Sequence, residues 1–252
     1  QVDMSTLAPL CSVSVQTAIA HLQRVDPVLC AVIERCPGGL ERLTARSECS
    51  SFHSLARIIV GQQLAGAAAR TIFGRFEVLC GGPDAVVPDR VLELDDAAMR
   101  GAGLSGAKAR AVRDLSAHFA DGRLSEAAMA GLDDEELMKR LCAVRGVGPW
   151  SVHMFMMFSL RRPDVLPVGD LVVRKGMARL YGGPAGKARK GGAAALPSPQ
   201  WMEAVAERWR PYRSVGAFLM WRVLDTDVPV GAPPEPPPPG AAAAALVKAG
   251  AG

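Results

Sequence analysis

The sequence predicts a protein built mostly or wholly of α-helices, and two observations carry that prediction. Apolar residues recur at helical spacing along nearly the whole chain, beginning with Val15, Ala18, Ile19 and Leu22 and continuing at Leu29, Val32 and Ile33. The alternation of apolar and polar residues that marks a half-buried strand is almost absent. A length of 252 residues allows one large domain or two lobes of roughly 100 residues each, and either can bury a core.

In chain order, residues 1–13 read as an N-terminal extension, 14–226 as the folded region with a helical hairpin at 137–160, and 227–252 as a disordered tail rich in Pro, Ala and Gly. The stretch from Phe52 through Ile72 predicts a buried helix broken near Gly61 and resumed after Gly66, the centre of a core. Pro83 to Pro88 is a connector, and Asp95-Asp96 caps a short helix reaching Arg100. Gly101, Gly103 and Gly106 then punctuate a turn before a helix with three cations in its first two turns, Lys108, Arg110 and Arg113, a plausible contact for a nucleic-acid backbone. Asp133 to Glu136 caps a helix from Leu137 to Val144 that Gly146 ends. The next helix, Ser151 to Leu160, is apolar almost all round and belongs inside. A helix from Asp170 to about Leu180, a flexible basic loop at 182–199 with Lys187, Arg189 and Lys190, and a helical pair interrupted at Pro211 complete the fold.

Composition excludes several classes. No run approaches the roughly 18 to 20 uncharged apolar residues needed to cross a bilayer. The cations outnumber the anions, 29 against 25, with a pI near 8.9; this is compatible with a polyanionic partner and decides nothing alone. The six cysteines, Cys11, Cys30, Cys36, Cys49, Cys80 and Cys142, form no CxxC pair and have no matching histidines, which argues against a zinc site or an iron–sulfur cluster. They read as reduced thiols in an intracellular protein. Because the chain opens on Gln1 rather than Met, a targeting segment upstream stays open.

Chemistry concentrates between Leu137 and Asp170. In Arg145-Gly146-Val147-Gly148-Pro149-Trp150, glycines permit positive φ and close backbone approach, and the N–H groups of the turn and the following helix start can cradle a phosphate. The same pattern also serves as a plain corner between two helices. Asp170 suits an N-cap for the helix starting at Leu171. Its place after the apolar run Val165 to Gly169 also lets it face a cleft, and the two roles are compatible. Trp150 and Trp221 suit either core packing, the simpler reading, or stacking on a planar ligand. Gln62 and Gln63, within an apolar helix, must be hydrogen-bonded to backbone or ligand if buried. His53, His118 and His153 share no spacing and read as structural.

Five blocks, Leu55–Leu64, Leu104–Ala109, Arg145–Trp150, Leu166–Leu171 and Ala206–Ser214, occur in an order and at distances that resemble the helix-hairpin-helix (HhH-GPD) DNA glycosylase superfamily, in particular its 3-methyladenine DNA glycosylase II (alkylbase DNA glycosidase) branch. The resemblance implies an all-α, two-lobed fold with the DNA cleft and base pocket between the lobes. It places Asp170 at the catalytic aspartate, Gly146, Val147 and Gly148 at the phosphate-binding hairpin with Arg145 and Lys108 as further DNA contacts, and Trp150, Trp221, Met154 and Gln62 at the base pocket. Trp150 stands where lyase-competent relatives carry a nucleophilic lysine, which disfavours a Schiff-base route. Ala65-Gly66 replaces a stretch that usually contains serine, Met154 stands where the bacterial relative has a pocket tyrosine, and the bacterial relative's mixed α/β N-terminal domain has no counterpart in the first 50 residues.

The expected partner is double-stranded DNA with damaged bases, met by a monomer away from any membrane. No cofactor is required, although a monovalent or divalent cation bridging the hairpin carbonyls and a phosphate stays open. The nucleus is the expected compartment, with chloroplast, mitochondrion or prokaryotic cytoplasm as alternatives. Two competing functions are a bifunctional glycosylase/lyase and a non-catalytic DNA-binding module.

Overall fold

The structure, a computed structural model, describes residues 9–35, 38–45, 49–182 and 196–224. The basic residues Lys187, Arg189 and Lys190, Cys36 and the tail 227–252 lie outside the described residues. Among those described there is no strand. The helices are α1 (Ser12–Val25), α2 (Pro27–Arg35), α3 (Glu41–Thr44), α4 (Ser51–Gly61), α5 (Gly66–Cys80), α6 (Pro88–Glu93), α7 (Asp96–Gly101), α8 (Gly106–Ala120), α9 (Glu126–Ala130), α10 (Asp134–Cys142), α11 (Pro149–Phe158), α12 (Leu171–Tyr181), α13 (Pro199–Ala206) and α14 (Arg213–Val223). None of the described helices is long and apolar enough to cross a membrane. The chain divides into two compact units, each assembled from two stretches: one from the segment up to Cys11 and residues 42–162, the other from Ser12–Glu41 and the chain from Pro163 onward.

In the first unit α4 is the central helix. Phe52, Leu55, Ala56, Ile59 and Val60 are all buried on it, and it packs against α5, α8 and α11. Ser50 caps its start, accepting from the His53 N–H, and the predicted break falls at Gly61. Gln62 and Gln63 therefore lie beyond the helix rather than within it: Gln62 is the C-cap residue and Gln63 has φ +58°. The carbonyls of Val60 and Gln62 both accept from Lys108 Nζ on α8, each at 2.8 Å, and burial pulls the Lys108 ammonium below the usual lysine range. Arg113 is spent likewise, on the carbonyls of Leu92 and Leu94 and on Asp96. Of the three cations that made α8 a plausible nucleic-acid contact, only Arg110 is exposed. The other two tie α8 to its neighbours.

Several helix boundaries shift by a few residues from the sequence expectation, and the starts of α10 and α11 have a plain cause. Asp133 alone is the cap of α10, its Oδ1 accepting from the Glu136 N–H at 2.8 Å, so Asp134, Glu135 and Glu136 form the first helical turn, where anions meet the positive end of the helix dipole. Helix α11 begins at Pro149, two residues earlier than predicted, because proline at the first helical position needs no N–H and has its φ already set. The histidines are structural where their partners are visible: His53 Nε2 lies 3.1 Å from Glu77 Oε1, and His118 Nδ1 lies 2.9 Å from the Asp114 carbonyl.

The second unit is organised by α14, whose residues Ser214 to Met220 are all buried and which packs against α12, α1 and α2. Asp26, wholly buried, caps α2 through Oδ1, while its Oδ2 accepts from the Tyr181 hydroxyl at 2.9 Å and the Trp209 indole at 2.8 Å. Burial, then the charge of Asp26, push the Tyr181 hydroxyl well above its ordinary range and keep it a donor. Helices α12 and α14 approach backbone to backbone at Gly176, where a Cβ would collide with the Met220 carbonyl oxygen. A Gly176→Ala variant is expected to lose roughly 1–3 kcal/mol in urea unfolding, since a well-packed contact cannot absorb the methyl. The control Gly74→Ala, in a helix interior with nothing within 4 Å of its added Cβ, should be neutral or stabilising by up to about 1 kcal/mol.

Candidate functional site

Asp170 ends the strap that leads from Pro163 into α12. It is 7% exposed, and its Oδ1 collects three donors: the Val172 and Val173 N–H groups, both at 2.8 Å, and the Trp221 indole Nε1 at 3.0 Å. The first two make it the N-cap of α12, as the sequence suggested. The third comes from α14 and ties the carboxylate to an aromatic side chain. Trp221 is in turn braced edge-on by Phe218, ring centroids 6.0 Å apart. Capping and functional readings of Asp170 thus coexist in one geometry. A carboxylate held against a helix N-terminus and an indole N–H, with little water around it, is placed to stabilise positive charge developing beside it.

The hairpin lies in the first unit. Between α10 and α11 the chain turns through Arg145, Gly146, Val147 and Gly148, with Val147 buried at 6% exposure as the anchor and its N–H bonded to the Val144 carbonyl at 3.1 Å. Gly146 has φ +76°, and its Cβ would come 3.0 Å from Ala111 Cβ, so this glycine is required by conformation and by space. Gly148 differs: its φ is −119°, with nothing within 4 Å of an added Cβ. The Gly148 backbone is ordinary, and what the missing side chain leaves there is open room. No side chain caps α11, so its positive end can serve an anion.

Two side chains hold the hairpin from behind. Gln62 Nε2 donates to the Gly146 carbonyl at 2.9 Å and to Ser151 Oγ at 2.8 Å, and Asp114 Oδ2 accepts from the Arg145 N–H at 2.7 Å. Gln62, expected in the base pocket, thus has its amide nitrogen spent on the turn, and Lys108, expected on DNA, spends two of its three N–H bonds on the segment that carries Gln62. Sequence reasoning missed Asp114 and Ser151; each acts across tens of residues, and no local pattern points to them. Arg145 is exposed, and Trp150 is 37% exposed, which removes core packing as its role. Met154, four residues on and hence on the same helical face as Trp150, is 8% exposed. The structure therefore groups Gln62, Lys108, Arg145, Gly146, Val147 and Gly148 around one turn and Asp170 with Trp221 in the other unit.

Comparisons with known proteins give the family of the chain. Residues 56–196 match the HhH-GPD superfamily of base excision DNA repair proteins. The chain is 29% identical over 172 residues to DNA-3-methyladenine glycosylase 1 of Schizosaccharomyces pombe, covering 68% of this chain and 71% of that one. A crystal structure of DNA-3-methyladenine glycosidase from Bacillus halodurans superposes with a TM-score of 0.61 at 30% identity, over 80% of this chain and 90% of that one. The S. pombe 3-methyladenine DNA glycosylase in complex with abasic DNA gives a TM-score of 0.71 at 24% identity, over 85% of this chain and all of that one, a likeness of fold. The expected all-α fold and the expected resemblance hold together on these findings: the chain belongs to the HhH-GPD superfamily of base excision DNA repair proteins.

Proposed function

We propose that the protein is a monofunctional DNA glycosylase that hydrolyses the N-glycosidic bond of alkylated purines, such as 3-methyladenine and 7-methylguanine, in double-stranded DNA. Family membership and relatives named as 3-methyladenine glycosylases support this reading. The observation that carries it is Asp170: a carboxylate nearly closed off from solvent, with an indole N–H on the same oxygen that caps α12.

The chemistry follows from the lesion. Reaching the glycosidic bond requires extruding the nucleotide, at a cost of a few kcal/mol that damage partly offsets by weakening pairing. A phosphate seated on the Gly146–Gly148 turn and the start of α11 holds the strand while this happens. A cation between hairpin and phosphate fits the donors present, since the carbonyl oxygens of Val144 and Gly146 are hard ligands; each accepts one hydrogen bond, from Val147 and Gln62, and keeps a second lone pair. Bound there, it would neutralise phosphate charge.

N-alkylation turns the purine into a cationic leaving group, so one carboxylate suffices where ordinary glycosidases use two. As the base departs, the sugar takes on oxocarbenium character, which the Asp170 carboxylate stabilises while it orients or deprotonates the attacking water. Trp150 and Trp221 offer electron-rich faces, a cation–π bias of roughly 0.5 to 2 kcal/mol toward a cationic base. With Trp rather than Lys at position 150, the chain lacks the amine that would form a Schiff base there.

Asp170→Asn tests the assignment cleanly because asparagine caps helices about as well as aspartate, so the fold should survive. The variant should bind DNA as the native protein does and release methylated purines at least about a hundredfold more slowly; release at the native rate would refute the role given to Asp170. For the hairpin, the glycine geometries predict different losses. Gly146→Ala should lower both thermal stability and affinity for all DNA sequences, whereas Gly148→Ala should leave the melting temperature unchanged and weaken DNA binding alone, with a shallower salt dependence. Equal melting losses in both variants, or undiminished DNA binding by Gly148→Ala across a salt titration, would count against the phosphate seat.

A further inference from the structure

The strap that carries Asp170 is anchored at its far end by a charge cluster that the chemistry above does not use. Asp164, 8% exposed, opens the strap. Arg213, the first residue of α14, closes a fork on it: Nε donates to Oδ1 at 2.7 Å, Nη2 to Oδ2 at 2.9 Å and to the Asp164 carbonyl at 3.0 Å, and the Arg213 backbone N–H reaches Oδ1 at 3.2 Å. Arg210 Nη1 adds a further bond to Oδ2 at 2.7 Å. Ser214 stitches the backbone beside it, its N–H donating to the Pro163 carbonyl at 2.9 Å and its Oγ accepting from the Val165 N–H at 3.0 Å.

Stability alone does not explain such an array, because buried ion pairs are often no better than apolar packing of the same shape. Geometry does. Helix α14 grips the strap at both ends, at its start through Arg213 and Ser214 and at its end through Trp221, whose indole donates to Asp170. Between the two grips the strap is stiffened by turn bonds from the Val168 N–H to the Leu166 carbonyl and from the Asp170 N–H to the Pro167 carbonyl, both 2.9 Å. The length of chain between two fixed points on one helix then determines where the Asp170 carboxylate stands.

We propose that Asp164 and Arg213 are positioning residues for base excision: the guanidinium–carboxylate fork fixes the strap on α14 and thereby the placement of the Asp170 carboxylate beside Trp221. The proposal rests on the glycosylase reading above. Lysine at position 213 would keep the charge but could not span both carboxylate oxygens and the carbonyl at once. The strap would still be attached, through Arg210 and Ser214, but no longer held in one place.

The test uses the full chain and three readouts: single-turnover release of methylated purines from methylated duplex DNA, affinity for a duplex bearing a tetrahydrofuran abasic analogue, and melting temperature. Arg213→Lys should slow release by about ten- to a hundredfold, the scale expected for a misplaced catalytic group, while affinity for the analogue stays within about threefold. Arg210→Gln, which removes one arm of the cluster, should give a smaller loss of the same kind, about three- to tenfold, and it decides the matter alone if Arg213→Lys does not fold. Leu22→Ala, a wholly buried leucine of α1 in the same unit, provides a destabilised control: it should lower the melting temperature at least as much yet leave release within about twofold. Unchanged release in the arginine variants, or release that falls in all three variants in proportion to melting temperature, would overturn the positioning role. Failure of the native protein to release any base would instead overturn the glycosylase reading itself.

Discussion

The placement of Asp170 depends on how a single oxygen is shared. Two backbone N–H groups and the Trp221 indole converge on Oδ1, so the residue that starts α12 is also the residue that holds the aromatic ring of α14. Moving either helix moves the carboxylate. The close approach of α12 and α14 at Gly176, the burial of Ser214 to Met220 and the Asp26 network that joins α2 to Tyr181 and Trp209 all immobilise the two helices that meet at this atom. A charged group this secluded is costly to keep unless its charge is satisfied, and here a helix dipole and an indole satisfy it.

The hairpin depends on the opposite strategy. Beside the exposed side chains of Arg145 and Trp150 it presents backbone, and three polar side chains nearby are spent behind it: Gln62 on the Gly146 carbonyl and Ser151, Asp114 on the Arg145 N–H, Lys108 on the carbonyls of Val60 and Gln62. A phosphate met by backbone N–H groups and a helix end is gripped without reference to base sequence, as befits a repair enzyme that must search all DNA. On the proposed function, affinity would come from the backbone contact and discrimination from the chemistry of the leaving group.

Much of this was legible in the sequence because it is local. The N-caps at Asp95, Asp133 and Asp170, the break at Gly61 and the turn at Gly146 are each decided by residues a few positions apart. What was not legible acts across the chain. Lys108 reads as a DNA contact because a cation near a glycine turn has that look; its partners, the carbonyls of Val60 and Gln62 at the end of α4, lie more than forty residues away. Gln62 looked like part of a helix because Gly61 does not announce whether a helix pauses or ends. Asp164, Asp114 and Asp26 show in the sequence neither their depth nor their distant donors, although Asp26 before Pro27 does mark the start of α2. The two glycines of the hairpin read as equivalent, and only their backbone angles separate a glycine needed for the turn from one that leaves room beside it.

The most direct test of the whole account is product analysis of the native protein on methylated duplex DNA. The account predicts free 3-methyladenine or 7-methylguanine in solution, abasic sites in strands that break only on treatment with alkali, and no protein–DNA adduct trapped by borohydride. Strand cleavage with a trapped adduct would contradict the hydrolytic route, and DNA binding without any base release would contradict catalysis by Asp170.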